Sequence, residues 1–232
     1  MNKTIFLAAT AVLALTAGSA MAASHPGLVV KPTNLRPAHV PAGTLYSQNS
    51  NFGSGVDSQN FTSGNYTAYN NAGADDFVVP GGHAWKVTEV DVTGVYYNGS
   101  GPASSEVVTF YKSKSGKPGA IAAKGTASYL LNCTDSAGSF ACNVPGPKGK
   151  GLKLSGGTGG KSYWVSVVAN CSFVGGCGQW GWVQNTVDQH NPGVWENPGN
   201  AFGTGCVTWT PTNTCIGTGT DDWAFDLVGT ST

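Results

Sequence analysis

Glycine interrupts this chain so often that long helices have nowhere to form. There are 34 glycines among 232 residues, roughly twice the usual share. Beyond residue 22, no stretch combines helical periodicity, a cap and ten residues free of Gly and Pro. Between the glycines lie short runs rich in Val, Thr, Tyr and Trp, which suit a pleated, half-buried surface. Asp76-Phe77-Val78-Val79 stops at the turn Pro80-Gly81-Gly82; Val90, Val92, Gly94 and Tyr96 then alternate with Glu89, Asp91 and Thr93. Because successive strand side chains point to opposite faces, this spacing predicts a strand with one buried and one solvated face.

The same pattern recurs to the end of the chain. Residues 106–111, 120–124 and 129–131 read as strands, and Leu152 and Leu154 flank Lys153. Residues 163–169 form the most β-prone run and are expected to lie centrally. Residues 179–183 put Trp180 and Trp182 on one side, and Trp223, Phe225 and Leu227 alternate with Asp222, Ala224 and Asp226. A parallel sheet needs covering helices, which are missing here. The expected fold is therefore all-β, an antiparallel, jelly-roll-like β-sandwich.

The first 22 residues have the form of an export signal: Lys3, an apolar run from Ile5 to Leu15, then the small-x-small site Ala20-Met21-Ala22. The run is too short for a membrane span, so cleavage after Ala22 and secretion, extracellular or periplasmic, are expected without membrane insertion. Residues 23–44, with four prolines, read as an extended arm, and residues 45–232 as a single domain. Removing Lys3 with the leader leaves eleven basic residues against twelve acidic ones. A balance this even gives no footing for electrostatic capture of nucleic acid.

Six cysteines in an exported chain point to disulfides. They fall into three local couples, Cys133 with Cys142, Cys171 with Cys177, and Cys206 with Cys215, and nearest-neighbour pairing is expected to staple the loop each couple encloses. A zinc site lacks its usual ligand spacing here.

Several motifs together resemble β-sandwich accessory domains of secreted bacterial proteins. They are Ala74-Asp75-Asp76-Phe77-Val78-Val79-Pro80, Val108-Thr109-Phe110-Tyr111, Ser115-Gly116-Lys117-Pro118-Gly119 and Asp222-Trp223-Ala224-Phe225-Asp226-Leu227. The likeness runs over residues 45–229. It implies the fold and the compartment but no activity, and the cysteine couples stand outside it.

For function, the aromatic residues offer the most. Rings on a β surface either fill the core or stack on sugars, with amides and carboxylates binding the hydroxyls. Trp85, Trp164, Trp182 and Trp223 sit on strands and are expected in the core. Trp195 and Trp209 lie in the loop-rich stretch 191–211, beside Gln189, Asn197 and Asn200; these five are the candidate ligand-binding set for a glycan or cell-surface polymer. Asp75, Asp76, Asp221 and Asp222 precede or open strands and are either turn and surface aspartates or, if the two strands lie side by side, oxygen ligands for Ca²⁺. Ca²⁺ is the one cofactor the sequence suggests.

Asp188, His190 and Glu196 are the least implausible centre for a secreted hydrolase acting on a polymer, but no Gly-x-Ser-x-Gly or His-Glu-x-x-His motif accompanies them. Residues 155–162, Ser-Gly-Gly-Thr-Gly-Gly-Lys-Ser, come near a phosphate-binding loop yet precede a strand rather than a helix, and are read as a turn. Lys148, Lys150, Lys153 and Lys161 are read as a solvated edge that discourages aggregation. The leading expectation is thus a non-catalytic binding, structural or adhesive module; a hydrolase and a subunit of an extracellular fibre or layer are the alternatives.

Overall fold

The computed structural model describes residues 26–33, 35 and 40–232; the expected export signal lies outside them. The chain begins with β1 (Val29–Val30), β2 (Thr44–Ser47), β3 (Phe52–Asp57) and β4 (Gln59–Phe61), then β5 (Ala72–Val79), β6 (Ala84–Val92) and β7 (Gly94–Tyr97). Its middle supplies β8 (Ser105–Lys114), β9 (Lys117–Ile121), β10 (Ser128–Leu131), β11 (Thr134–Ser136), β12 (Ser139–Asn143) and β13 (Leu152–Ser155). β14 (Lys161–Cys171), β15 (Gln179–Asn185), β16 (Val194–Glu196), β17 (Thr210–Pro211) and β18 (Phe225–Ser231) follow.

An eight-stranded sheet runs β10-β8-β14-β5-β16-β17, with β4 and β9 attached; a six-stranded sheet runs β11-β12-β6-β18-β2, with β13 beside β6. Every pairing is antiparallel except β14 with β4. The inward rows of the two sheets, Phe77, Phe110, Val165 and Val167 from the larger and Val87, Val90, Phe225 and Leu227 from the smaller, meet in one core. Burying each such side chain is worth roughly 1.5–3 kcal/mol. The central strand expected at 163–169 is β14, paired to β8 on one side and β5 on the other.

A third sheet, β1-β3-β15-β7, adds Val56, Trp180 and Trp182 to that core. Its existence changes two expectations. The alternating run from Val90 to Tyr96 is one strand in sequence but two in space, because β6 and β7 belong to different sheets. The arm expected at 23–44 is also partly built into the domain: β1 pairs with β3, Pro26 is buried, and Gln179 grips Gly27 through both its N–H (2.7 Å) and its carbonyl (2.6 Å). Burial of one proline and one edge pairing is not a signal that period-two reading detects.

All three disulfides join nearest neighbours, Cys133–Cys142, Cys171–Cys177 and Cys206–Cys215. Among the described residues no helix is long and apolar enough to cross a membrane.

Candidate functional site

The fate of each tryptophan follows from strand parity. On β16, Val194 and Glu196 face outward and Trp195 inward, opposite Gly73 of β5. Trp195 is 0% exposed, and its indole N–H donates to the Asp57 carbonyl (2.8 Å) and to Asn71 Oδ1 (3.2 Å). A ring with no free face stacks on nothing from solvent, so Trp195 is corrected from ligand-binding residue to core anchor. Asn197 is corrected with it: it is fully buried, its amide N–H₂ donating to the carbonyls of Ala68 and Asn70 and its oxygen accepting from the Phe202 N–H. Asn200 is exposed but accepts from Gly205 N–H in a local turn, and half-buried Gln189 gives its backbone N–H to Asp222. Trp209 alone of the five keeps the geometry of a binding residue.

Trp209 packs on the outer face of the large sheet, where a satellite cluster of Ala74, Trp164 and Val194 holds Tyr111 and Trp209 half-buried above it. The other six tryptophans are buried. Tyr111 meets Trp209 edge to face at 6.1 Å and 70°, an arrangement the aromatic quadrupoles favour. Lys117 Nζ donates to the Trp209 carbonyl (2.9 Å), and Cys206–Cys215 closes the loop that carries the ring. Glu196 sits beside it: burial raises its carboxyl to about 6, the backbone N–H of Trp209 pulling the other way, and its charge raises the Tyr111 hydroxyl in turn, after burial of that hydroxyl itself. Two rings, a carboxylate and an ammonium thus share one open face. The sequence offers Glu196 only as part of a hydrolase centre and does not single out Tyr111 or Lys117 for function, because it takes β8, β9 and β16 to bring the three together.

The aspartates expected to hold Ca²⁺ do not form a metal site. Asp75 and Asp76 lie within β5, Asp222 just before β18, and these strands belong to different sheets. Three of the four acids do approach one another, and each is occupied by hydrogen-bond donors. Asp75 accepts from Gln48 Nε2 (2.5 Å) and the Trp223 N–H (2.6 Å), and Asp222 from the N–H groups of Gln189 (2.5 Å) and Gly193 (3.1 Å). Asp76 accepts from Ser162 (2.8 Å) and the Asn191 amide (2.6 Å), while Asp221 caps the Asn213 N–H (2.6 Å). Among the described residues no group of three His, Cys, Asp or Glu is placed to hold a metal ion. Burial first, and mutual repulsion second, raise Asp75 well above the carboxylate range, and burial raises Asp222 likewise. A shared proton resolves a crowded carboxylate pair as well as a cation does.

The hydrolase centre is not assembled either. Asp188 accepts from the Thr220 hydroxyl (2.9 Å), His190 stacks on Tyr46 with centroids 6.0 Å apart, and Glu196 faces Trp209; no hydrogen bond among the described residues joins the three. Asp75 and Asp222 are 0% exposed, so no substrate reaches them. Within residues 155–162, residues 156–160 are the turn between β13 and β14 and the ends belong to those strands.

Deeper in the molecule, Asp57 is fully buried and accepts from Asn71 Nδ2 (2.6 Å), Tyr97 (3.0 Å) and Gln179 (3.0 Å). Burial outweighs these donors and pushes its carboxyl up to about 7. This network ties Trp195, β3 and the N-terminal strand together, a structural role. No family model, no curated protein and no solved structure matches this chain.

Proposed function

We propose that the protein is a secreted, non-catalytic module that binds a glycan or matrix polymer on the outer face of its large sheet. What supports this reading is Trp209: the one tryptophan not buried, set edge to face on Tyr111 and flanked by Glu196 and Lys117. A flat ring accepts the apolar face of a sugar, while a carboxylate accepts hydrogen bonds from its hydroxyls. The face is made of strands and a disulfide-closed loop, so little ordering entropy is spent on binding. Disulfides and resemblance to secreted accessory domains fit an extracellular or periplasmic setting.

Retention on isolated cell wall and on a glycan array tests the reading. Wild type is expected to bind at least one polymer, and Trp209→Ala, with an unchanged circular dichroism spectrum, to lose at least tenfold in affinity. Folded wild type retained on no polymer, or Trp209→Ala binding as wild type does, contradicts it. Because Glu196 accepts hydrogen bonds from hydroxyls more strongly when ionised, binding should weaken as pH falls through about 6.

A further inference from the structure

We infer that the opposite face of the sandwich carries a second binding site, an open groove along β6 that takes an anionic polysaccharide, one bearing carboxylates or phosphates. This goes beyond the reading above and does not depend on Trp209. The groove comprises a cavity of about 360 Å³ and a neighbouring one of about 420 Å³ that shares Lys86, Lys150 and Gly151 with it. Lys86 and Lys153 are direct cross-strand partners on the outward face of β6 and β13. Like charges facing each other across a strand pair destabilise the sheet unless something neutralises them, and no Asp or Glu is among the described residues lining either cavity. Lys150 adds a third ammonium from the wall.

That wall is fixed in place. Gly151 N–H closes the turn 145–151 on the Pro145 carbonyl (2.8 Å). A Cβ at Gly151, which stands at φ +76°, would come 2.8 Å from the Val87 carbonyl, so the loop lies directly on β6. The rest of the groove offers Thr88, Asn143 and Thr230, neutral groups suited to sugar hydroxyls. A single-stranded nucleic acid would want aromatic faces for its bases, and the one ring here, Trp85, is spent in the core, stacked on Phe77 at 6.1 Å and 7°. An extended polymer with negative charge and hydroxyls matches the groove's chemistry.

Calorimetric titration of the full protein with polygalacturonate, inorganic polyphosphate, neutral dextran and duplex DNA tests this. Binding of polygalacturonate, polyphosphate or both is expected, with affinity falling steeply with salt, and the pair distinguishes carboxylate from phosphate recognition. Lys86→Gln/Lys150→Gln/Lys153→Gln should lower that affinity at least tenfold, while Lys112→Gln/Lys114→Gln and Trp209→Ala leave it within twofold. All three lysines are exposed, and circular dichroism checks that each variant is folded. Failure of both polyanions to bind at low salt, equal affinity for DNA, or a triple variant that binds as wild type does would overturn the assignment. Loss of polyanion binding in Trp209→Ala would overturn it too, by moving the site to the other face.

Discussion

Trp195 and Trp209 come from one loop-rich stretch and end on opposite sides of one sheet. Trp195 points inward from the middle of the three-residue β16, across from Gly73 and bonded through its indole N–H to Asp57 and Asn71. Trp209 precedes β17, outside the pleat, and rests on Tyr111 with part of its ring in solvent. The same residue type is thereby a load on the fold in one case and a free surface in the other. Exposure is set by which face of the sheet the ring lands on, not by the composition of the neighbourhood.

Substitutions should separate the two. Trp195→Ala is expected to cost about 3–5 kcal/mol, since it opens a cavity and strands the oxygens that the indole N–H satisfies; thermal or urea unfolding measures it, and a loss under about 1 kcal/mol would break the contrast. Opening the staple under Trp209 with Cys206→Ser/Cys215→Ser should cost about 2–3 kcal/mol in the chain-entropy model, and also weaken polymer binding, which Trp195→Phe should not.

The Asp57 network behind Trp195 gives a pH signature. A carboxyl at about 7 in the folded protein and near 3.8 unfolded keeps its proton longer when folded, so its contribution is full below pH 3.8 and is lost as pH rises through about 7. Asp75 and Asp222 act in the same direction. The melting temperature should therefore be higher near pH 5 than near pH 8, and Asp57→Asn should flatten that slope; a melting temperature that climbs from pH 5 to pH 8 would contradict the buried-acid account. Trp209→Ala sits at the other end of the scale, costing about 1 kcal/mol or less in stability while removing binding. Smallest of all, Lys153→Gln should raise the melting temperature slightly by relieving Lys86 of its opposed charge.

Much of the fold is legible in the residues. Alternation identifies β6, β13, β15 and β18, β propensity identifies β14, and short spacing in a Gly-rich setting is enough to pair the cysteines. The site was less legible, for physical reasons. A three-residue strand such as β16 is too short to show its period, so the orientation of Trp195 is settled by the neighbour it pairs with. Asp75 and Asp222 look like metal ligands in sequence because nothing local shows the Gln48, Trp223, Gln189 and Gly193 nitrogens that reach them from across the fold. Tyr111 and Lys117 come from the β8–β9 hairpin, far along the chain from Glu196 and Trp209, and only sheet register gathers the four.

The central claim is that one indole of seven lies open, on the outer face of the large sheet. Oxidation of the native protein with N-bromosuccinimide, counted by intact mass, tests it directly: one modified tryptophan is expected in wild type and none in Trp209→Phe. Two or more modified rings in folded wild type, or one persisting in Trp209→Phe, would contradict it.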